Sequence, residues 1–194
     1  MAVTPSEVLK VKTKAHRSRR NFGNAASRKR GEANFLAAFE RAYFRSVGKG
    51  GLAAGEFALE GYGVADLVWI AWRPDGGEEF SALSLEKSLL RRKLHAFEAK
   101  LKDWRRALKQ AFRYRYFADK AIVLMPAANA APALVHLERF RDLGVGFWTF
   151  DVETGTIRKH FTPTRVSAYN SKARAKAVAR LSSSVQLGKL RKKL

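Results

Sequence analysis

The chain has 194 residues, 46% of them hydrophobic, a formal net charge of +21 and no cysteine. Such a length and apolar content suit one domain with a sizeable core, and the missing cysteine excludes a disulfide framework or a thiolate metal site. The apolar run Val64 to Trp72 carries Asp66 and falls well short of the roughly 18 to 20 residues that span a bilayer. The first ten residues lack the order of a secretory signal, so the expectation is a cytoplasmic protein with no membrane partner.

Residues 1–31 hold nine Lys/Arg against Glu7 alone and mix Ser, Asn and Gly without periodicity, which reads as a basic arm without structure in isolation. From Ala33, the spacing Phe35, Leu36, Phe39, Tyr43, Val47 predicts a helix, ended by Gly48-Lys49-Gly50-Gly51. Phe57 and Leu59 alternate in a strand over 55–62, and the β-rich run 64–72 pairs with it as a hairpin. Residues 80–94, with Leu83, Leu85, Leu89 and Leu90 before the basic knot Arg91-Arg92-Lys93, read as an inserted helix or an irregular excursion. His95 to Leu101 is a strand. Asp103 caps a helix to about Phe117, with Trp104, Leu108, Ala111 and Phe112 on one face. Residues 120–125 form a buried strand, completing a βαβ unit with parallel strands. A helix over 132–143 and strands at 145–150 and 156–161 follow, with Phe147, Trp148 and Phe150 read as sheet core. Beyond Pro163 a basic extension includes a helical stretch at 172–181.

Charge is distributed unevenly along this order. Eleven Lys/Arg and no acid follow Glu153, so the two ends carry 19 of the 21 net charges, while residues 32–157 are nearly balanced at 18 basic and 16 acidic. The expected organisation is an arm at 1–31, a domain at 32–163 and an extension at 164–194. Polycationic ends attract a polyanion, and nucleic acid, most readily DNA, is the expected partner through the arms and Arg91, Arg92 and Lys93. The plainer reading is a pair of solubilising tails or an anionic-membrane contact.

Within the strand at 95–101, Phe97, Ala99 and Leu101 point one way while Glu98 and Lys100 point the other. By the same rule Val64, Asp66, Val68 and Ile70 share a face, which sets a carboxylate among apolar neighbours. An unpaired charge there costs several kcal/mol, so Asp66 calls for a partner. If its strand adjoins that of Glu98, the two carboxylates converge on one hard divalent cation. His16, His95, His136 and His160 lie singly, without the spacing of a metal site.

Ala65-Asp66, then Glu98-Ala99-Lys100 in the next strand and a helix directly after it, resemble the PD-(D/E)XK nuclease-like superfamily over about residues 32–151, with Ala65 in place of the proline. Gln110-Ala-Phe-Arg-Tyr114 is similar to a QxxxY motif in the corresponding helix of some exonuclease branches. The resemblance implies an α/β restriction-endonuclease-like three-layer core, a central mixed sheet flanked by helices, and metal-dependent phosphodiester hydrolysis. It implies Mg²⁺ (or Mn²⁺) held by Asp66, Glu98 and the Ala99 carbonyl, Lys100 orienting water or stabilising an oxyanion, and Gln110 and Tyr114 at the rim. Glu32, Glu40 and Glu60 compete for a further acidic position. A different class of reading is a non-catalytic nucleic-acid-binding protein, either a degenerate nuclease fold or a basic nucleoid- or ribosome-associated protein. Endonuclease or exonuclease action, DNA or RNA, specificity and oligomeric state, a homodimer included, stay open.

Overall fold

The computed structural model describes residues 8–12, 23–47, 50–72, 82–164 and 167–190. Seven strands form one mixed sheet in which every strand lies beside its sequence neighbour: β1 (Val8–Lys12), β2 (Gly51–Leu59), β3 (Gly63–Ala71), β4 (Leu94–Ala99), β5 (Lys120–Pro126), β6 (Gly146–Phe150) and β7 (Ile157–Phe161). The pairings β2–β3, β3–β4 and β6–β7 are antiparallel, whereas β1–β2, β4–β5 and β5–β6 are parallel. Helix α1 (Gly23–Val47) covers one face. The other is covered by α2 (Ala82–Leu90), α3 (Trp104–Tyr114), α4 (Ala131–Leu134), α5 (Leu137–Asp142) and α6 (Ser171–Leu190). The result is a three-layer α/β architecture.

Each face has its own core. On the α1 side Phe39 stacks on Tyr43 at 5.3 Å between ring centroids, and Tyr43 meets Trp69, Phe97 and Trp148 edge-on or tilted. On the opposite side Trp104, Leu108 and Ala111 of α3 join Phe57, Phe140 and Phe147. Burying each such large side chain contributes about 1.5 to 3 kcal/mol. Phe147, Trp148 and Phe150 are all buried in the sheet. Gly51 is required where it stands, because a Cβ there would lie 2.6 Å from the Trp69 ring nitrogen.

Several boundaries differ from the sequence reading. Within the stretch expected as an arm, residues 8–12 add β1 to the sheet edge, and α1 begins at Gly23 rather than Ala33. Once the apolar face from Phe35 onward is packed, each added residue gains one hydrogen bond, and the Ala, Arg and Lys residues before it are good helix formers. Strand β2 starts at Gly51, and the stretch after 81 resolves as α2. The helix expected over 132–143 breaks into α4 and α5 at Val135–His136, where the His136 ring packs on Trp104 at 5.1 Å.

Within the expected extension at 164–194, α6 packs against the folded body. Ala173, Ala177, Val178 and Leu181 of α6 are buried in the core with Leu85 and Leu89 of α2. Asn170 caps the helix by accepting the Ala173 N–H at 3.0 Å. Arg174 donates through Nε to both Asp119 oxygens, at 3.2 and 3.0 Å, and through its terminal nitrogens to the Leu90 and Arg92 carbonyls. Alanines at helical spacing on a basic segment let α6 lie close to the sheet while Lys172 and Lys176 stay exposed.

Candidate active site at the splayed ends of two strands

Apolar alternation slips once in the β2–β3 hairpin. Leu52 and Ala54 face the α3 side, as do Phe57 and Leu59, and on β3 so do Ala65, Val68 and Ile70. The ladder itself keeps one register through Gly55↔Leu67 and Phe57↔Ala65, and the switch falls on the intervening Glu56 and Asp66. Glu56 carries φ 47°, the positive-φ non-glycine among the described residues, a conformation costing on the order of 1 to 3 kcal/mol. The shared face expected for Val64, Asp66, Val68 and Ile70 is therefore corrected: Val64 is exposed, Ala65 takes the buried place, and Asp66 stands at a kink.

At the same level β3 and β4 part. Their ladder stops at Leu67↔Phe97, while β4 stays paired to β5 through Ala99↔Leu124, and the Lys100 N–H donates to the Leu124 carbonyl at 3.1 Å. In the next rung the Ala99 N–H donates to Asp66 Oδ2 at 2.8 Å instead of to a backbone carbonyl. A side-chain carboxylate thus replaces the ladder acceptor at the point of divergence.

Glu98 lies on the opposite face of β4 from Phe97 and is buried under α3. The Tyr114 hydroxyl sits 2.5 Å from Glu98 Oε2 and 2.6 Å from the Val64 carbonyl. A phenol has one proton to donate; a protonated Glu98 donating to the tyrosine oxygen satisfies all three groups. Burial, with the neighbouring Asp66 charge adding, pushes the Glu98 carboxyl up to about 7. Tyr114 is itself pushed up by burial and by Glu98. Tyr114 is fully buried beneath the carboxylate, not at the rim as expected, and one turn earlier Gln110 has a buried Oε1 without a hydrogen-bond partner.

Lys100 stands just past the end of β4. Its ammonium lies 2.9 Å from Glu98 Oε1 and 3.7 Å from Glu32 Oε2, and donates to the Ala99 carbonyl at 3.1 Å. Burial works to lower its pKa, but Glu98, Asp66 and Glu32 together outweigh that and raise it. Asp66 is raised above the usual carboxylate range by burial, against the pull of Lys100 and the Ala99 N–H and with Glu32 and Glu56 adding. Of the three competing acids, Glu32 reaches this group. Glu40 is buried on α1 about two turns further along, and Glu60 is exposed in the turn between β2 and β3. Glu56 was not singled out from the sequence, although the spacing Leu52, Ala54, Phe57, Leu59, which breaks a period of two, marks it.

Two carboxylates and a carbonyl, all hard oxygen donors, suit Mg²⁺. Glu98 and the Ala99 carbonyl converge on a cation, the Lys100 ammonium, and with Asp66 are of the donor type that a hard divalent cation takes. Among the described residues no group of three or more His, Asp or Glu side chains is arranged to hold a metal. His95, against Trp69 and Phe97, is pushed down to about 4 by burial, with Lys120 adding, and serves packing. Arg91, Arg92 and Lys93 are exposed, and Lys93 Nζ lies 4.0 Å from Asp119. Among the described residues no helix is long and apolar enough to cross a membrane.

No protein-family model and no curated protein matches the chain. Among solved structures it is similar to the SPO1766 protein of unknown function from Silicibacter pomeroyi, at 13% identity and a TM-score of 0.45, over 73% of this chain and 77% of that one.

Proposed function

We propose that the protein is a metal-dependent nuclease of the PD-(D/E)XK type that hydrolyses phosphodiester bonds in nucleic acid, most readily DNA. The observation that carries this reading is an imbalance: among the described residues, Asp66, Glu98 and Glu32 share the ammonium of Lys100 where β3 and β4 part. A buried surplus of negative charge is costly on its own, and a divalent cation offsets it.

Asp66, Glu98 and the Ala99 carbonyl would hold Mg²⁺, which when bound lowers the pKa of water and offsets charge developing on the phosphate. Asp66 is fixed for this by the Ala99 N–H, and Glu98 by Tyr114. Ionised Glu98 would accept a hydrogen bond from Tyr114 and leave its other oxygen for the metal in place of Lys100. Lys100, released from Glu98, orients the attacking water or meets the developing oxyanion as a point charge. Gln110, with its unpartnered oxygen, is placed on the Tyr114 side to receive a proton donor from that network.

Cleavage of linear, circular and single-stranded DNA, and of RNA, in Mg²⁺, Mn²⁺ or EDTA tests the reading. The expected outcome is metal-dependent cleavage reduced at least about a thousandfold in Asp66→Ala and Lys100→Ala. Unchanged cleavage in both variants sinks the site. The grip of Lys100 on Glu98 favours a second reading, a non-catalytic nucleic-acid-binding protein, and binding without cleavage in every metal is its signature.

A further inference from the structure

Three tyrosines from distant parts of the chain meet on the surface at the C-terminal end of α3. Tyr62, in the turn between β2 and β3, stacks on Tyr116 at 5.6 Å and 29°, and Tyr116 meets Tyr169 at 5.7 Å and 88°. Tyr116 is 39% and Tyr169 54% exposed, an unusual place for two large rings unless something covers them. The group is held in place: the Tyr169 and Asn170 N–H groups donate to the Arg115 and Tyr116 carbonyls at 2.9 and 3.0 Å, and the Asn170 side chain donates to the Tyr62 hydroxyl at 3.2 Å. Arg115 backs the Tyr169 ring at 4.5 Å, and its buried Nε and Nη1 have no hydrogen-bond partner. That guanidinium is committed to the ring.

A row of cations leads to these rings from the candidate active site. Lys102 lies two residues beyond Lys100, and Arg106, Lys109 and Arg113 follow at spacings of four, three and four, on one exposed face of α3. None of the four takes part in an ion pair among the described residues. The Arg113 guanidinium lies 3.7 Å from where a Cβ on Gly63 would stand, beside Tyr62, so the row ends at the tyrosines.

We propose that this surface binds single-stranded nucleic acid, with unpaired bases stacking on Tyr116 and Tyr169 while Lys102, Arg106, Lys109 and Arg113 follow the phosphates toward Lys100. Cations alone accept any polyanion. Aromatic rings with this much exposed surface add a preference for bases not already stacked in a duplex, and every base has a face to offer, so the surface reads strandedness and not sequence. The inference deepens the proposed function by naming the form of its substrate, and rests on that reading for nucleic acid as ligand but not for cleavage.

The test is fluorescence-anisotropy binding in EDTA, using oligothymidylate, oligouridylate and a mixed-sequence duplex of equal length. Wild type is expected to prefer both single strands over the duplex. Tyr116→Leu/Tyr169→Leu is expected to lose about tenfold on single strands with little change on the duplex, and the double Phe variant to restore it. Arg106→Gln/Lys109→Gln is expected to weaken both and flatten the salt dependence. Equal affinity of wild type for single strand and duplex, or single-strand binding by the Leu variant within about twofold of wild type, overturns the proposal. Should the Leu variant melt early, ultraviolet cross-linking of oligothymidylate to the wild type decides: adducts on Tyr116 or Tyr169 support the surface, and adducts confined elsewhere overturn it. Because no step needs a metal, a loss of the nuclease reading leaves this result standing. Conversely, Asp66-dependent cleavage without single-strand preference sinks only the tyrosine surface.

Discussion

The two ends of β4 solve one electrostatic problem in opposite ways. At the start, the Leu94 N–H donates to Asp119 Oδ2 at 2.8 Å; at the end, the Ala99 N–H donates to Asp66 Oδ2 at the same distance. Both carboxylates stand in for a backbone acceptor, and both need a cation. Asp119 has Arg174, whose planar fork takes both oxygens and then two backbone carbonyls, so donors and acceptors are matched. Asp66 shares one lysine with Glu98 and Glu32. The first arrangement holds α6 to the sheet. Among the described residues the second has more carboxylates than cations, with Glu98 raised to about 7 by burial and by Asp66. A matched pair stabilises a fold, and an unmatched one is poised to take something up.

Breaking the matched end has the largest expected effect on folding. Arg174→Ala leaves Asp119 buried without its guanidinium and is expected to cost about 3 to 5 kcal/mol, read as a lowered urea midpoint. A loss under 1 kcal/mol, on the scale of a surface pair, would erase the contrast.

At the unmatched end the expected signature is a pH slope. A carboxyl whose folded pKa lies near 7, above its ordinary 4.5, binds a proton more tightly folded than unfolded. Its contribution to the stability of the metal-free protein is then full below about pH 4.5 and is lost as pH rises through about 7, by up to about 3 kcal/mol. Glu98→Gln is expected to flatten that decline in urea unfolding with EDTA at pH 5 and pH 7.5. The same slope in variant and wild type would assign it to another group.

The smallest effect belongs to Tyr114→Phe, which removes one hydroxyl from between Glu98 and the Val64 carbonyl. About 1 to 2 kcal/mol is expected, together with an altered Glu98 titration by carboxyl NMR. An unmoved titration would show that the hydroxyl serves Val64 alone.

Sequence pattern carried the β3–β4 stretch, the α3 amphipathic face and the β5 strand, because each buries one face on a local period. It also carried the chain order that brings Asp66, Glu98 and Lys100 together. It missed β1, a short charged segment whose pairing with β2 spans a whole helix, and it read α6 as an arm because its buried positions are mostly alanine, too weakly apolar to stand out among lysines and arginines. The kink at Glu56 and Asp66 was written as a broken period in β2 but masked by continuous apolar character in β3. The QxxxY spacing named Tyr114 as a site residue, but its position under Glu98 was not legible, since only the packing angle of α3 decides which of its residues meets the carboxylate.

Strand order has a consequence for synthesis. Because each strand adjoins its predecessor, a nascent chain can extend the sheet from β1 to β7 without threading or leaving a gap for a later strand. The closing piece is α6, which returns to lie against β1, β2 and α2. Until α6 has been made, Asp119 lacks its arginine and the first strands lack their cover, so a nascent chain stopped short of this helix leaves that side of the sheet open.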